Sequence, residues 1–160
     1  MDIWVPSELN NYEYILKIII VGEDDSEKNI FYKTLAHNQL TENFIILTLK
    51  STLTNKVYKY QIFNSNLNIN NIYFNNIDII FYIYKNSITN NNIEYYKNKI
   101  SNKSLFIMVK NTSNNYLEKK TKTHFFLNIK KYHQIIGLFS SIMEYHIIPL
   151  YEYEEKCILL

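Results

Sequence analysis

The stretch with the clearest chemical outline is KIIIVGEDDSEKN, residues 17–29. A β-branched run ends at Gly22 and Lys28 follows six residues later, which is the outline of a phosphate-binding loop between a strand and a helix. Such loops use glycines so that backbone N–H groups can converge on phosphate oxygens. The loop here instead carries four carboxylates, at Glu23, Asp24, Asp25 and Glu27. Each would repel a nearby phosphate by about 1–4 kcal/mol, depending on the local dielectric.

The acidic loop has three interpretations. Carboxylates before a helix are stabilised by its positive N-terminal dipole, so the loop could be a solvated helix cap. It could also be a degenerate nucleotide site, or a site for a metal ion or a basic partner. Ser26 is the predicted N-cap of a helix from about Glu27 to Ala36, and Lys28 would then be a solvated first-turn lysine.

Composition limits the classes of function. The chain has 160 residues, which suits a single domain, and its formal net charge of +2 gives no argument for nucleic-acid binding. All 17 basic residues are lysines, so bidentate guanidinium recognition of phosphate is excluded. The four histidines are scattered, and the single cysteine lies in the tail. We therefore expect no catalytic residues and no metal site.

The elements that must position these residues follow from hydrophobic patterning. Apolar or alternating runs predict strands at 15–21, 44–50, 57–63, 78–84, 105–109 and 123–129. Helical spacing predicts helices at 27–36, 88–100 and 132–147. The polar turn at 51–56 predicts a hairpin. Continuous apolar strands that alternate with helices favour a mostly parallel sheet covered on both faces.

Five segments, in this order, resemble conserved stretches of Ras-superfamily small GTPases of the Rab or Ras type. They are KIIIVG (17–22), KVYKYQIFNS (56–65), DIIFYIYKNS (78–87), LFIMVKNTSN (105–114) and LNIKKYHQIIGLF (127–139). The resemblance implies the α/β fold of a P-loop NTPase. We expect a mostly parallel six-stranded sheet with helices on both faces and the fourth helix reduced or missing. The domain would span 14–148, after an N-terminal extension at 1–13.

The chemical motifs of that family are mostly lost. The resemblance implies a vestigial nucleotide site at these positions: Gly22, Lys28, Asn29, Asn64, Asn111, Asn114 and Lys130. Asn29 stands where the family has a Mg²⁺-binding hydroxyl, and Asn64 where it has an aspartate that helps to hold Mg²⁺. Asn114 replaces the guanine-reading aspartate. We therefore expect no bound nucleotide or Mg²⁺, and a pseudo-GTPase in place of a catalyst.

The last four residues, Cys157-Ile-Leu-Leu160, match the C-a-a-X prenylation pattern, and a terminal leucine favours geranylgeranyl. The alternative is a chance free thiol. The preceding segment, at 149–156, is acidic and would form a tether with Cys157 as the lipidated residue. One lipid chain gives only marginal anchoring, so we expect reversible or partner-assisted attachment.

Together these features predict a prenylated, membrane-tethered pseudo-GTPase that binds effector-type or complex-forming proteins in vesicle trafficking or signalling. Its location would be the cytoplasmic face of an intracellular or plasma membrane, with a cytosolic pool, and a prenyltransferase would be a further partner. The alternative is a divergent but active small GTPase that uses GTP, GDP and Mg²⁺ in intracellular transport.

Overall fold

A computed structural model describes residues 4–7, 14–37, 39, 44–65, 76–100 and 104–144. The eight strands in these residues are β1 (Trp4–Pro6), β2 (Tyr14–Gly22), β3 (Phe44–Ser51), β4 (Val57–Asn64), β5 (Ile79–Tyr84), β6 (Leu105–Asn111), β7 (Glu118–Thr121) and β8 (His124–Leu127). The three helices are α1 (Asp25–Ala36), α2 (Asn90–Lys99) and α3 (Tyr132–Ile142). The prenylation motif at Cys157 lies outside the described residues.

The strands form one mixed sheet in the order β1-β3-β4-β2-β5-β6-β8-β7. Strands β4, β2, β5, β6 and β8 are parallel, whereas β1, β3 and β7 run antiparallel to their neighbours. The predicted fold, a mostly parallel six-stranded sheet with helices on both faces, is therefore wrong. The sheet has eight strands of mixed direction, and the described residues contain only three helices.

One added strand comes from the amino-terminal segment. Strand β1 pairs antiparallel with β3, and Trp4 is only 2% exposed. Its ring packs edge-on against Tyr58, with the centroids 5.1 Å apart. A three-residue strand is too short to show a period-two pattern, so no local signal predicts it.

The other added strand replaces the helix that was expected in reduced form between Asn111 and Asn128. Strand β7 has the sequence EKKT and pairs antiparallel with β8. Its residues are mostly exposed, so no apolar pattern marks it. Lysines along an unpaired edge discourage further strand pairing, which fits a polar strand at the border of the sheet.

Two helices cover one face of the sheet and bury the larger core. Phe31 and Leu35 of α1 and Leu138 and Phe139 of α3 join this core. The other face has a smaller core, on which α2 packs through half-buried residues and buries none completely. Among the described residues, α2 is the one helix on this face, whereas two helices cover the other.

The first helix begins two residues earlier than predicted. Its N-cap is Asp24, whose side chain accepts a hydrogen bond from the Ser26 N–H, so the prediction of Ser26 as the cap is wrong. Both residue types are common caps, and Asp24 lies two residues nearer the strand than Ser26.

No helix within the described residues is both long and apolar enough to cross a membrane.

Candidate functional site: a closed corner and a basic groove

The carboxyl ends of β2, β4, β5, β6 and β8 share one edge of the sheet, where open α/β sheets usually bind ligands. Two neighbouring regions lie on this edge. We call the first the closed corner: residues 22–29 together with Asn64 and Ser65. The second is the basic groove, which is lined by Lys85, Asn86, residues 110–113, Asn128 and Lys130.

Gly22 makes the corner possible because its backbone lies against β5. A Cβ atom at this position would lie 2.3 Å from the carbonyl oxygen of Ile83, which is far inside van der Waals contact. The next residue, Glu23, donates its backbone N–H to the same oxygen over 3.2 Å. A glycine is therefore required here by close packing of two backbones, whether or not a phosphate binds.

The Glu23 carboxylate connects β2 to the start of α2. It accepts hydrogen bonds from the Thr89 N–H at 2.6 Å, the Thr89 hydroxyl at 2.9 Å and the Asn92 amide at 3.1 Å. It also accepts one from the Tyr82 hydroxyl. Burial alone would raise the pKa of Glu23, but these four donors outweigh it and leave the pKa below its usual value. Burial, together with Glu23, raises the pKa of Tyr82.

The next two carboxylates serve the helix that follows them. Hydrogen bonds from Ser26 hold the pKa of Asp24 below its usual value, with smaller contributions from Lys28 and Lys85. Asp25 pairs with Lys28 across one helical turn, with the amine 2.8 Å from a carboxylate oxygen. Both acids therefore stabilise the first turn of α1 from within the chain.

Lys28 is turned inward. It is only 5% exposed, and its amine also donates to the hydroxyl of Ser65 over 3.2 Å. The prediction of a solvated first-turn lysine for this position is therefore wrong. The reason is that α1 starts early and directs the side chain along the sheet edge, toward the end of β4.

The side chains of Asn29 and Asn64 contact each other directly. These are the positions at which the resemblance implies two Mg²⁺ ligands. The Asn64 amide donates to the Asn29 side-chain oxygen over 2.9 Å, and Asn64 is only 4% exposed. The two amides can satisfy each other without a cation between them, because an amide has both a donor and an acceptor.

Glu27 connects the closed corner to the basic groove. This residue is 7% exposed, and one of its carboxylate oxygens accepts a hydrogen bond from the Asn111 amide over 2.6 Å. The oxygen of the same Asn111 side chain accepts from the Ile129 N–H at 3.3 Å. Asn111 therefore joins α1, the end of β6 and the segment after β8.

The backbone of the corner is also committed to internal bonds. The Glu23 N–H donates to the carbonyl oxygen of Ile83. The Ser26 N–H donates to the side chain of Asp24, and the Lys28 N–H donates to the carbonyl oxygen of Asp24. Helix α1 starts at Asp25, so only two residues separate it from the end of β2. A loop of this length, with these N–H groups occupied, cannot form the anion-binding nest that a phosphate loop requires.

The basic groove lies beside the corner and has a volume of about 590 Å³. Its lining consists of residues at the ends of β5, β6 and β8: Lys85, Asn86, Lys110, Asn111, Thr112, Ser113, Asn128 and Lys130. This volume is typical of ligand clefts in proteins, which span roughly 300–1,000 Å³. The lining contains three lysines, three amides and two hydroxyls, and no carboxylate.

Gln134 fixes two segments beside the groove. It is 2% exposed, its side-chain oxygen accepts from the Asn128 N–H at 2.8 Å, and its amide donates to the Asn114 carbonyl at 3.0 Å. Through Gln134, helix α3 holds the segments that contain Asn128 and Asn114 in place beside the groove. Buried amides that are fully hydrogen-bonded give such a surface a defined shape.

The predicted site residues fall into two groups in the structure. Gly22, Lys28, Asn29 and Asn64 meet in the closed corner. Asn111 and Lys130 line the groove, whereas Asn114 is outside its lining and contributes its carbonyl to Gln134.

Sequence reasoning missed Lys85, Asn86 and Lys110 of the groove, and it missed the contacts of Glu23. The first two immediately follow a buried strand, and that position at a parallel-strand end was a usable signal. The partners of Glu23 lie more than 50 residues away, at Tyr82, Thr89 and Asn92, and no local pattern marks them.

Within the described residues, no group of three or more histidine, cysteine, aspartate or glutamate side chains is arranged to hold a metal ion. In comparisons with known proteins, no family model matches the chain and no curated protein matches it.

Proposed function

We propose that this chain is a prenylated, membrane-tethered binding protein of the small-GTPase type that works without nucleotide. The order of the elements supports this proposal. After β1, strand β2, a short loop and α1 are followed by the β3–β4 hairpin and then by β5, α2 and β6. Strand β7 stands in place of a helix between β6 and β8, and α3 comes last. Apart from β1 and β7, this is the order on which the resemblance is based.

The main support for the proposal is the buried position of the Lys28 amine. In a phosphate loop this amine must face the ligand. Here it is buried and bonded to Asp25 and Ser65. To bind phosphate, the chain would have to break both contacts and also bring the ligand close to four carboxylates.

A corner closed in this way gives a protein with one fixed conformation at this edge. In the family that the sequence resembles, the loops around the nucleotide change conformation when the nucleotide is hydrolysed. With Glu23, Glu27 and Asn64 bonded inside the chain, nothing at the corner would respond to such a cycle. The proposed role is therefore a constant binding surface for effector-type or complex-forming proteins in vesicle trafficking or signalling.

Attachment to a membrane is proposed from the Cys157 motif. One prenyl group gives weak and reversible binding, so the protein would divide between the cytoplasmic face of a membrane and the cytosol. A bound partner would supply the second contact that stable attachment needs.

The nucleotide content of the purified protein tests the main part of the proposal. The protein is denatured, and the released nucleotide is quantified by ion-exchange chromatography beside a known small GTPase. We expect less than about a tenth of an equivalent of GDP or GTP, because the phosphate-binding groups are occupied. Near-stoichiometric nucleotide would contradict the proposal and favour a divergent, active GTPase.

Membrane attachment is tested separately by cell fractionation of the full chain and of Cys157→Ser. We expect the wild type in both membrane and soluble fractions and the variant in the soluble fraction alone. A Ser141→Ala variant, which keeps the tail, serves as the control. An unchanged membrane fraction for Cys157→Ser would refute the lipid tether and leave the nucleotide result unaffected.

A further inference from the structure

We propose that the basic groove is a docking site for an acidic peptide segment of a partner protein. The proposal deepens the proposed function, on which it rests, by naming the chemistry of the partner. Its central observation is a cleft of about 590 Å³ that is lined by three lysines and no carboxylate.

The distribution of charge supports an acidic ligand. The chain as a whole is almost balanced, with 17 lysines against 15 carboxylates. Residues 104–134, which include β6, β7 and β8, contain six lysines and a single carboxylate, Glu118. Such an asymmetry within one domain creates a positive field at one end of the molecule.

The acids of the neighbouring corner are bonded within the chain. Glu27 accepts from Asn111, and Glu23 is bound to Tyr82, Thr89 and Asn92. Asp24, which interacts electrostatically with Lys85, accepts from the Ser26 N–H. Among the described residues, neither Lys85 nor Lys130 forms an ion pair, and both are exposed. These two amines remain available for carboxylates from another molecule.

The positive field extends past the groove onto the neighbouring hairpin. The amines of Lys110 and Lys120 lie 5.0 Å and 4.9 Å from the centre of the Phe126 ring. Burial, and then the charge of these two lysines, lowers the pKa of His124 on the same strand. Lys122, in the turn between β7 and β8, adds to the positive charge at this end.

The shape and chemistry of the site favour a peptide over a small anion. The chain has no arginine, and the N–H groups of Thr112, Asn128 and Lys130 in the lining already donate within the chain, so the usual means of binding phosphate are absent from these positions. The Asn111 amide is also bonded internally, but the lining includes further side-chain amides and hydroxyls, such as Asn86 and Ser113, which can hydrogen-bond to a peptide backbone. Tyr116, 67% exposed in the loop that follows Ser113, adds an aromatic side chain of the kind that is enriched at protein interfaces.

Binding can be measured by fluorescence anisotropy with a labelled deca-glutamate peptide at about 50 mM salt. The protein is the full chain without the prenyl group and without nucleotide. We expect saturable binding that weakens as salt increases, because exposed charge contacts are screened. A labelled deca-glutamine peptide should not bind. An absence of binding by deca-glutamate would overturn the proposal.

A matched pair of double variants locates the site. Lys85→Gln with Lys130→Gln removes two groove charges, and Lys33→Gln with Lys50→Gln removes two lysines from α1 and β3. We expect about tenfold weaker binding for the first pair and less than about threefold for the second. Equal losses would overturn the proposal, since binding would then depend only on net charge. Circular dichroism of each variant checks that it is folded.

Competition separates a peptide from other anionic ligands. Unlabelled deca-glutamate should displace the probe, whereas inorganic phosphate at the same ionic strength should not. Displacement by phosphate would assign the groove to a small anion. Displacement by phosphatidylserine vesicles, but not by phosphatidylcholine vesicles, would assign it to a lipid surface. Either result would overturn the peptide proposal, and neither would bear on the nucleotide content of the protein.

Discussion

The closed corner and the basic groove lie side by side on one edge of the sheet, yet they handle charge in opposite ways. In the corner, four carboxylates and Lys28 are bonded to one another or to nearby side chains and N–H groups. In the groove, Lys85 and Lys130 have no ion pair with any described residue. The polar groups of the corner are satisfied from within the chain, whereas the groove is lined by three lysines and no carboxylate.

This difference shows two ways in which one edge of a sheet can hold polar groups and remain folded. A buried polar group without a partner costs about 1–3 kcal/mol, so the buried side chains of the corner need partners inside the chain. The amide pair of Asn29 and Asn64 is an example. An exposed lysine has water as its partner, so the groove can stay open.

The largest expected effect is at Gly22, where the corner packs against β5. Gly22→Ala would place a methyl group 2.3 Å from the Ile83 carbonyl oxygen, and both backbones would have to move. We expect a loss of about 3 kcal/mol in the free energy of unfolding, measured by urea denaturation.

Gly137→Ala is the matched control for that substitution. Its new Cβ would lie 3.3 Å from the end of the Leu117 side chain, which can turn away. Alanine is also the better helix former by about 0.5–1 kcal/mol, so we expect a stability within about 1 kcal/mol of wild type. Equal effects of the two substitutions would contradict the close packing at Gly22.

The next effect concerns the buried amide pair of Asn29 and Asn64. Asn64→Ala removes a buried donor and leaves Asn29 without this bond, so we expect a loss of about 1–2 kcal/mol. A double-mutant cycle with Asn29→Ala should give a coupling energy of about 0.5–1.5 kcal/mol. A coupling of zero would show that the two amides do not interact in solution.

A smaller effect, dependent on pH, is expected at Glu23. Its folded-state pKa lies below the unfolded value near 4.5, so the carboxylate stabilises the fold above pH 4.5. That contribution is lost as the pH falls through the folded-state pKa. Glu23→Gln should therefore cost on the order of 1 kcal/mol at pH 7, with the difference from wild type shrinking below pH 4.5. Chemical denaturation from pH 7 to pH 3 measures this, and a constant difference would be the contrary result.

The smallest effect is expected in the groove. Lys85→Gln with Lys130→Gln should change the free energy of unfolding by less than about 0.5 kcal/mol, because neither amine has an ion pair with a described residue. Thermal denaturation at low salt is sufficient to measure it. A marked loss of stability would mean that these lysines are structural, and the contrast between the two regions would fail.

Much of the secondary structure could be predicted because strong local patterns specify it. Strands β2 to β6 and β8, and helices α1 to α3, lie within a few residues of their predicted positions. Gly22, Lys28, Asn29 and Asn64 were grouped through the resemblance, and they do meet in space. The internal contacts of Lys28 and Asn29 cannot be predicted from the sequence, because they depend on where α1 begins.

The errors share a physical cause. Strand β1 is short and strand β7 is polar. Both form because of the strands with which they pair, so local periodicity does not predict them. The side-chain hydrogen bonds of Glu23, and that of Lys28 with Ser65, join residues that are 37 to 69 positions apart. Such bonds follow from the packing of whole elements, and patterns within one segment cannot predict them.

The most direct test of the closed corner is isothermal titration calorimetry of the purified protein with GTP and with GDP, each in the presence of Mg²⁺. Our account predicts no saturable heat of binding at nucleotide concentrations up to about 1 mM, which corresponds to a binding free energy weaker than about −4 kcal/mol. Saturable binding that requires Mg²⁺ would contradict it, because Lys28, Asn29 and Asn64 would then have to leave their partners to receive the ligand.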